Sequence, residues 1–130
     1  RIITPHPGEA ARLLESSAEK IEIDRFRAVG ELQAEFGGVV VLKGAGTLVK
    51  SSRERPPSVC AHGNPGMATA GMGDVLTGMI AALVAQGLDL ETAAESGVAL
   101  HAAAADLSAP EGMRGMIASD LFPDIRQLLG

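Results

Sequence analysis

The sequence predicts an α/β fold, and three observations carry that expectation. Val39-Val40-Val41-Leu42 is a continuous, mostly β-branched run, the pattern of a strand buried on both faces of a parallel sheet. Val29, Leu32 and Phe36 recur at spacings of three and four, the period of a helix with one apolar face. Helical segments alternate with a few short strands along the chain, so helices must cover a small sheet.

Taken in order, Ile2-Ile3 followed by Thr4-Pro5-His6-Pro7-Gly8-Glu9 reads as a strand end, a rigid turn and a helix through Leu14, because Pro is favoured at a helix start. The two prolines fix His6 between them, which aims an imidazole at a cleft or leaves a plain surface histidine. Asp24 is placed to cap the Val29-Leu32-Phe36 helix, and Gly37-Gly38 supplies its stop. Lys43-Gly44-Ala45-Gly46 breaks the strand at Leu42, and Thr47 to Lys50 reads as a short return strand. Ser51 to Ser58 has no apolar residue to bury and is expected as an exposed loop.

The Gly-rich stretch Gly63 to Gly73 leads into an apolar helix from about Asp74 to Gln86, ended by Gly87. Apolar residues lie around the whole circumference of that helix, Leu83 among them, which predicts burial on every side. Asp89 caps the next helix, an Ala-rich one running to about Ser108 and closed by Pro110. Ser119-Asp120 then begin a last short helix toward Leu129.

Composition narrows the function. Hydrophobic residues make up 46% and charged residues 21%, a globular balance, and the 130 residues suit one domain rather than two. The formal charge of −5, with no Lys/Arg cluster, gives no footprint for nucleic acid. Val75 to Ala85 falls short of the roughly 20 apolar residues of a membrane span. A lone Cys60 cannot form an internal disulfide, so a reducing cytoplasm fits. No set of Cys, His and carboxylates has metal-site spacing, and no structural zinc or other protein-held metal is expected. A small molecule is the expected ligand. The chain opens on the apolar pair Ile2-Ile3 without an initiating Met, which reads as a portion of a larger domain.

The chemistry is expected at glycine turns. Gly71-Met72-Gly73-Asp74 precedes a helix, where successive backbone N–H groups at the positive helix end form an anion hole. Asp74 there is either a catalytic base, taking a proton from a substrate hydroxyl beside a bound phosphate, or a helix cap. Lys43 stands at the carboxyl end of a buried strand, where open α/β sheets place their ligands, and Gly44 and Gly46 let a nucleotide approach the backbone. The alternative is a solvated lysine beside a Gly-containing hairpin turn. The Gly-Lys-Ser/Thr ending of a Walker A loop is missing, so a P-loop kinase is disfavoured. His101, inside the Ala-rich helix, reads as a packed helix residue.

Four segments together resemble the ADP- or ATP-dependent NAD(P)H-hydrate dehydratase family: Thr4 to Glu9, Val40 to Thr47, Gly63 to Gly78, and Gly115-Met116-Ile117-Ala118-Ser119-Asp120-Leu121. They span nearly the whole chain, in the family's order. The resemblance implies the C-terminal portion, residues 1 to 130, of a ribokinase-like three-layer α/β/α domain. The reaction it implies is phosphorylation of the hydroxyl of hydrated NADH or NADPH by ADP or ATP, then loss of phosphate to restore the cofactor. Mg²⁺ is implied with the nucleotide. Carried over by position, Lys43, Gly44, Ala45, Gly46 and Thr47 line the adenine-nucleotide site and Gly73 meets its phosphates. Asp74 and His6 face the hydrate, with Asp74 as the base. A homo-oligomer or a companion N-terminal half is the expected partner, since a half-domain leaves a sheet edge and an apolar face uncovered. The competing readings are a ribokinase-like kinase of a hydroxyethylthiazole-type alcohol and a non-catalytic binding or assembly module.

Overall fold

The computed structural model describes residues 1–130, with elements β1 (Ile2–Ile3), α1 (Pro7–Leu13), α2 (Ala18–Ile23), α3 (Arg25–Phe36), β2 (Val39–Leu42), β3 (Thr47–Lys50), β4 (Ser58–Cys60), α4 (Met72–Ala85), α5 (Leu90–Ser108) and α6 (Leu121–Leu129). Local signals explain most of the boundaries. Asp24 caps α3 by accepting the Arg27 N–H at 3.0 Å, and Asp89 caps α5 through the Thr92 N–H at 2.9 Å. At the end of α3, Gly37 and Gly38 have φ of +66° and +65°, and a side chain at Gly38 would strike the Arg1 carbonyl.

The four strands lie in the order β1-β2-β3-β4. The sheet is mixed rather than wholly parallel. β1 runs parallel to β2, with Ile3 opposite Val40, while β3 is antiparallel to β2 and β4 to β3. β2 is nonetheless flanked on both sides and covered on both faces, so all four of its residues are buried, as its unbroken apolar run requires.

Alternation along the strands sorts the core into two layers. Val40, Leu42 and Leu48 face α1 to α3, packing with Ala10, Ile21, Val29 and Leu32. Val39, Val41 and Val49 face α4 and α5, packing with Leu76, Ile80, Ala94 and Val98. The result is the expected three-layer α/β/α arrangement. α6 is docked beside α5 by a third cluster around Ala104, Ala105, Met116 and Leu121.

Two expectations are corrected in α4, and two elements are added. Only Met72, Leu76 and Ile80 of α4 are buried, a single stripe at intervals of four. Val75, Met79 and Leu83 are half-buried, and Gly78, Ala81, Ala82 and Ala85 are exposed. Its composition is apolar all round, but only α5 and the sheet pack against it, and the far side has no covering layer within this chain. The helix also starts earlier than expected. Gly71, at φ +87°, is the residue before its first turn, which places Asp74 inside that turn and not at the cap. The short α2 and the strand β4, which begins where a loop was expected to end, complete the fold.

Candidate functional site

Topology brings one end of every strand to one edge of the sheet. β1 and β2 are parallel, so Thr4 and Lys43 leave them on the same side, where β3 begins at Thr47 opposite the last residue of β4, Cys60. The Lys43 N–H donates to the Pro5 carbonyl at 2.9 Å, stitching the first two exits together. The chain after β4 then crosses this edge as the Gly63–Gly73 segment and enters α4. Between these loops opens a cleft of about 830 Å³.

His6, Lys43 to Thr47, Met72 and Gly73 all line the cleft. The loop expected to take a nucleotide and two residues of the expected anion turn therefore line one cleft. Lys43 approaches Gly73 closely: a Cβ on Gly73 would lie 2.7 Å from the Lys43 Nζ, so a side chain there would displace the ammonium from the start of α4. The N–H groups of Gly73 and Asp74 make no hydrogen bond within the chain, and Gly71 offers no side-chain cap. A cation and two unpaired amides thus meet at the positive end of a 14-residue helix, an arrangement that takes an anion. Thr77 fixes that first turn, donating to the Gly73 carbonyl at 3.0 Å and lying 3.4 Å from the Thr4 hydroxyl.

Gly71 and Asp74 fall outside the cleft. Asp74 is exposed and belongs instead to a groove of about 520 Å³ between α4 and α6, whose other walls include Met79, Leu83, Leu100, Phe122 and Ile125. His6 has a second duty the sequence did not announce. Its Nδ1 accepts the N–H groups of Gly8 at 3.0 Å and Glu9 at 3.2 Å, while the Glu9 carboxylate accepts the His6 N–H at 2.8 Å, a reciprocal cap on α1. The backbone N–H bond from His6 is the main cause holding the Glu9 carboxyl below its usual range. With Nδ1 an acceptor, Nε2 is the ring nitrogen left to donate.

Two polar residues that sequence reasoning passed over, Arg25 and Asp106, support the cleft together with Asn64 of the Gly63–Gly78 segment. Arg25, at the start of α3, donates to the carbonyls of Leu42, Lys43 and Gly46, each at 3.3 Å. Asp106, on α5, accepts the Gly63 N–H and the Asn64 amide, both at 3.0 Å, and Asn64 in turn accepts the Gly66 N–H at 3.0 Å. The Asn64 bond, followed by that from Gly63, keeps the Asp106 carboxyl below its usual range. A lone carboxylate in the Ala102 to Leu107 stretch was the available signal for it.

His101, 5% exposed, lies in the cleft wall with its Nε2 unpartnered. Burial is the main cause that lowers its pKa from the ordinary 6.5; the Met72 backbone opposes this and the Lys43 charge adds to it. The fold therefore prefers the neutral ring. As pH falls the unfolded chain binds the proton first, so this contribution to stability is complete above about pH 6.5 and is lost below it. The unfolding midpoint of the full-length protein is expected to fall on acidification through that range, and His101→Gln to flatten that limb. An unaltered acid limb in the variant would assign the loss to other groups.

A three-layer sandwich with its cleft at the strand ends, closed by a glycine turn opening a helix, defines a ribokinase-like α/β module. A solved chain from Enterococcus faecalis, described as a ribokinase-like superfamily protein, matches 98% of this chain with a TM-score of 0.80 and 28% identity. The model of the NAD(P)H-hydrate dehydratase family matches residues 1–127, and the chain belongs to that family. Among its relatives, the bifunctional NAD(P)H-hydrate repair enzyme Nnr of Vibrio cholerae is 60% identical over 130 residues, covering 99% of this chain and 26% of that protein. The ADP-dependent (S)-NAD(P)H-hydrate dehydratase of Neisseria meningitidis is 46% identical, over 98% of this chain and 43% of that protein. The Bacillus subtilis ADP/ATP-dependent NAD(P)H-hydrate dehydratase, co-crystallized with ATP/Mg²⁺, matches with a TM-score of 0.91 and 30% identity, over 98% of this chain and 46% of that one. The chain thus spans about a quarter of the bifunctional relative and less than half of the single-activity enzymes.

Proposed function

We propose that this chain is the nucleotide-binding portion of an ADP- or ATP-dependent NAD(P)H-hydrate dehydratase, acting in repair of the damaged cofactor. The observation that carries the reading is the junction of Lys43 with Gly73, which puts a cation and free helix-terminal amides at one end of a strand-edge cleft. The Lys43 to Thr47 loop takes the adenine nucleotide along its glycine backbone, and the Gly71–Gly73 turn takes its phosphates. Asp74 removes the proton from the hydrate's hydroxyl as that oxygen bonds to the terminal phosphorus and the nucleotide's bridging P–O bond breaks. Phosphate then departs with the electron pair of the carbon–oxygen bond, the adjacent ring carbon gives up a proton to solvent, and the nicotinamide double bond is restored. His6 faces the hydrate through its Nε2, which also lies 3.6 Å from the Glu9 carboxylate.

Mg²⁺ suits this site only together with the nucleotide. No three His, Cys, Asp or Glu side chains of the chain converge into a metal cage, and Mg²⁺ is commonly held by substrate phosphates, water and one or two carboxylates. When bound, it would neutralise charge on the phosphates, with Asp74 the carboxylate at hand.

Asp74 opens toward the apolar α4–α6 groove rather than the cleft, so the hydrate pocket is completed by chain beyond these residues. The remainder of the same domain is the companion we propose, covering the groove and pairing with the free edge of β1. No helix is long and apolar enough to cross a bilayer.

Gly46 provides the direct test. It has φ +71°, a conformation that a β-branched residue reaches only with strain, and its Cα faces the cleft. In the full-length protein Gly46→Val is expected to abolish measurable ADP binding by calorimetry; unchanged affinity would remove the loop from the nucleotide site. The kinase alternative rests on a shared fold: a hydroxyethylthiazole kinase from Pyrococcus horikoshii matches with a TM-score of 0.82 at 21% identity. Release of inorganic phosphate from NADH hydrate, against accumulation of a stable phosphoester from an alcohol, separates the two. Nucleotide titration tests the remaining possibility, a module without catalysis.

A further inference from the structure

We infer that Arg25 is a positioning residue for the Lys43–Gly46 turn, holding it open from behind and thereby aiming Lys43 at Gly73. The inference rests on the nucleotide reading above for its functional consequence, and on geometry alone for the positioning itself.

Arg25 occupies the first position of α3, where the helix dipole repels a cation. Such a placement needs compensation, and the structure provides it at the far end of the side chain. Nη2 donates to the carbonyls of Leu42 and Gly46, and Nη1 to that of Lys43, each at 3.3 Å. Glu22 pairs with Nη1 at 3.2 Å, and the Arg25 side chain is 13% exposed. The guanidinium therefore clamps the carbonyls on both sides of the glycine turn, across a strand that ends and another that begins. With its carbonyls turned back toward Arg25, the turn is free to present the amides of Gly44 to Gly46 and the Lys43 side chain to the cleft.

Gly44 completes the fit. A Cβ there would lie 2.5 Å from Arg25 Nη1, and its φ of +150° also favours glycine. A side chain at Gly44 would thus displace the guanidinium from the turn, as one at Gly73 would displace the ammonium from the helix. A lysine cannot replace Arg25 in this role, because a single ammonium is a point charge and cannot span three carbonyls in the plane of a fork.

The test compares the full-length protein with its Arg25→Lys variant, by amide hydrogen exchange at residues 43–47 without nucleotide and by ADP titration. Exchange in that loop is expected to accelerate, and ADP to bind about tenfold more weakly, the scale of losing charge-assisted hydrogen bonds from a fixed geometry. Turnover at saturating ADP is expected to stay within a few-fold, since the chemistry at Asp74 is untouched. Loop exchange and ADP affinity both within twofold of the parent would overturn the inference. So would a loss of kcat and stability with KM for ADP unchanged, the mark of a merely structural arginine. A parent that binds no ADP, with loop exchange still accelerated in the variant, would sink the nucleotide reading and leave the positioning role standing. Should Arg25→Lys fail to fold, Gly44→Ala displaces the same guanidinium and is expected to accelerate exchange at residues 45–47, and unchanged exchange there would overturn the inference; ADP affinity is no readout in this variant because Gly44 itself lines the cleft.

Discussion

Replacing Asp74 with Asn is expected to lower kcat about 10²–10⁴-fold, the usual cost of removing a general base, in full-length enzyme given NADH hydrate and ADP. The carboxylate sits in the first turn of α4, one residue after the glycine that meets Lys43. The proposed reaction places the substrate hydroxyl beside a phosphate at this helix end. Because Gly71, not Asp74, precedes the helix and no side chain caps it, the change removes no cap. Only the favourable interaction of an anion with the helix end is lost, worth about 0.3–1 kcal/mol at an exposed position. The unfolding midpoint should therefore move little, and ADP affinity should be largely kept because the amides, Lys43 and the glycine loop are untouched. A variant turning over within a few-fold of the parent would show that the proton goes elsewhere. His6, which lines the cleft, would be the next group to test.

Asp74 also shows where sequence legibility stops. The glycine turn and the existence of α4 were readable because their signals are local: a Gly-rich stretch gives way to a long apolar run. Which residue precedes the first turn depends on backbone angles, and Gly71 at φ +87° took that place from Asp74. β2 and its break at Lys43 were legible for the same local reason. By contrast, Arg25 meets the carbonyls of a loop 17 to 21 positions further along, and Asp106 meets amides 42 and 43 positions earlier. No periodicity carries such pairings. Only the sheet topology, which returns every strand to one edge, brings them together. His6 failed differently: an imidazole in a capping role depends on the extended backbone that its flanking prolines impose, and the prolines were visible while the bond was not.

Leu32→Ala is expected to cost about 2–5 kcal/mol of unfolding free energy, the range for deleting a core leucine, and to be the most damaging single truncation in the α3 layer. Leu32 is fully buried, at the centre of the cluster that α1, α2 and α3 form against Val40, Leu42 and Leu48. The sheet lies on one side and the α1–α2 pair closes the layer, so the cavity has no easy route to collapse. Leu83→Ala provides the contrast. Leu83 is half-buried on α4 and borders the α4–α6 groove, so the surface of this chain alone predicts a loss well below that of Leu32. If the rest of the domain covers the groove, Leu83 becomes a core residue and its truncation in the full-length protein should approach the same 2–5 kcal/mol range. Denaturant unfolding of the two full-length variants side by side reads both claims. A small loss at Leu32 would refute the core assignment, and a loss at Leu83 under about half a kcal/mol, the level of ordinary surface substitutions, would show that the groove stays open.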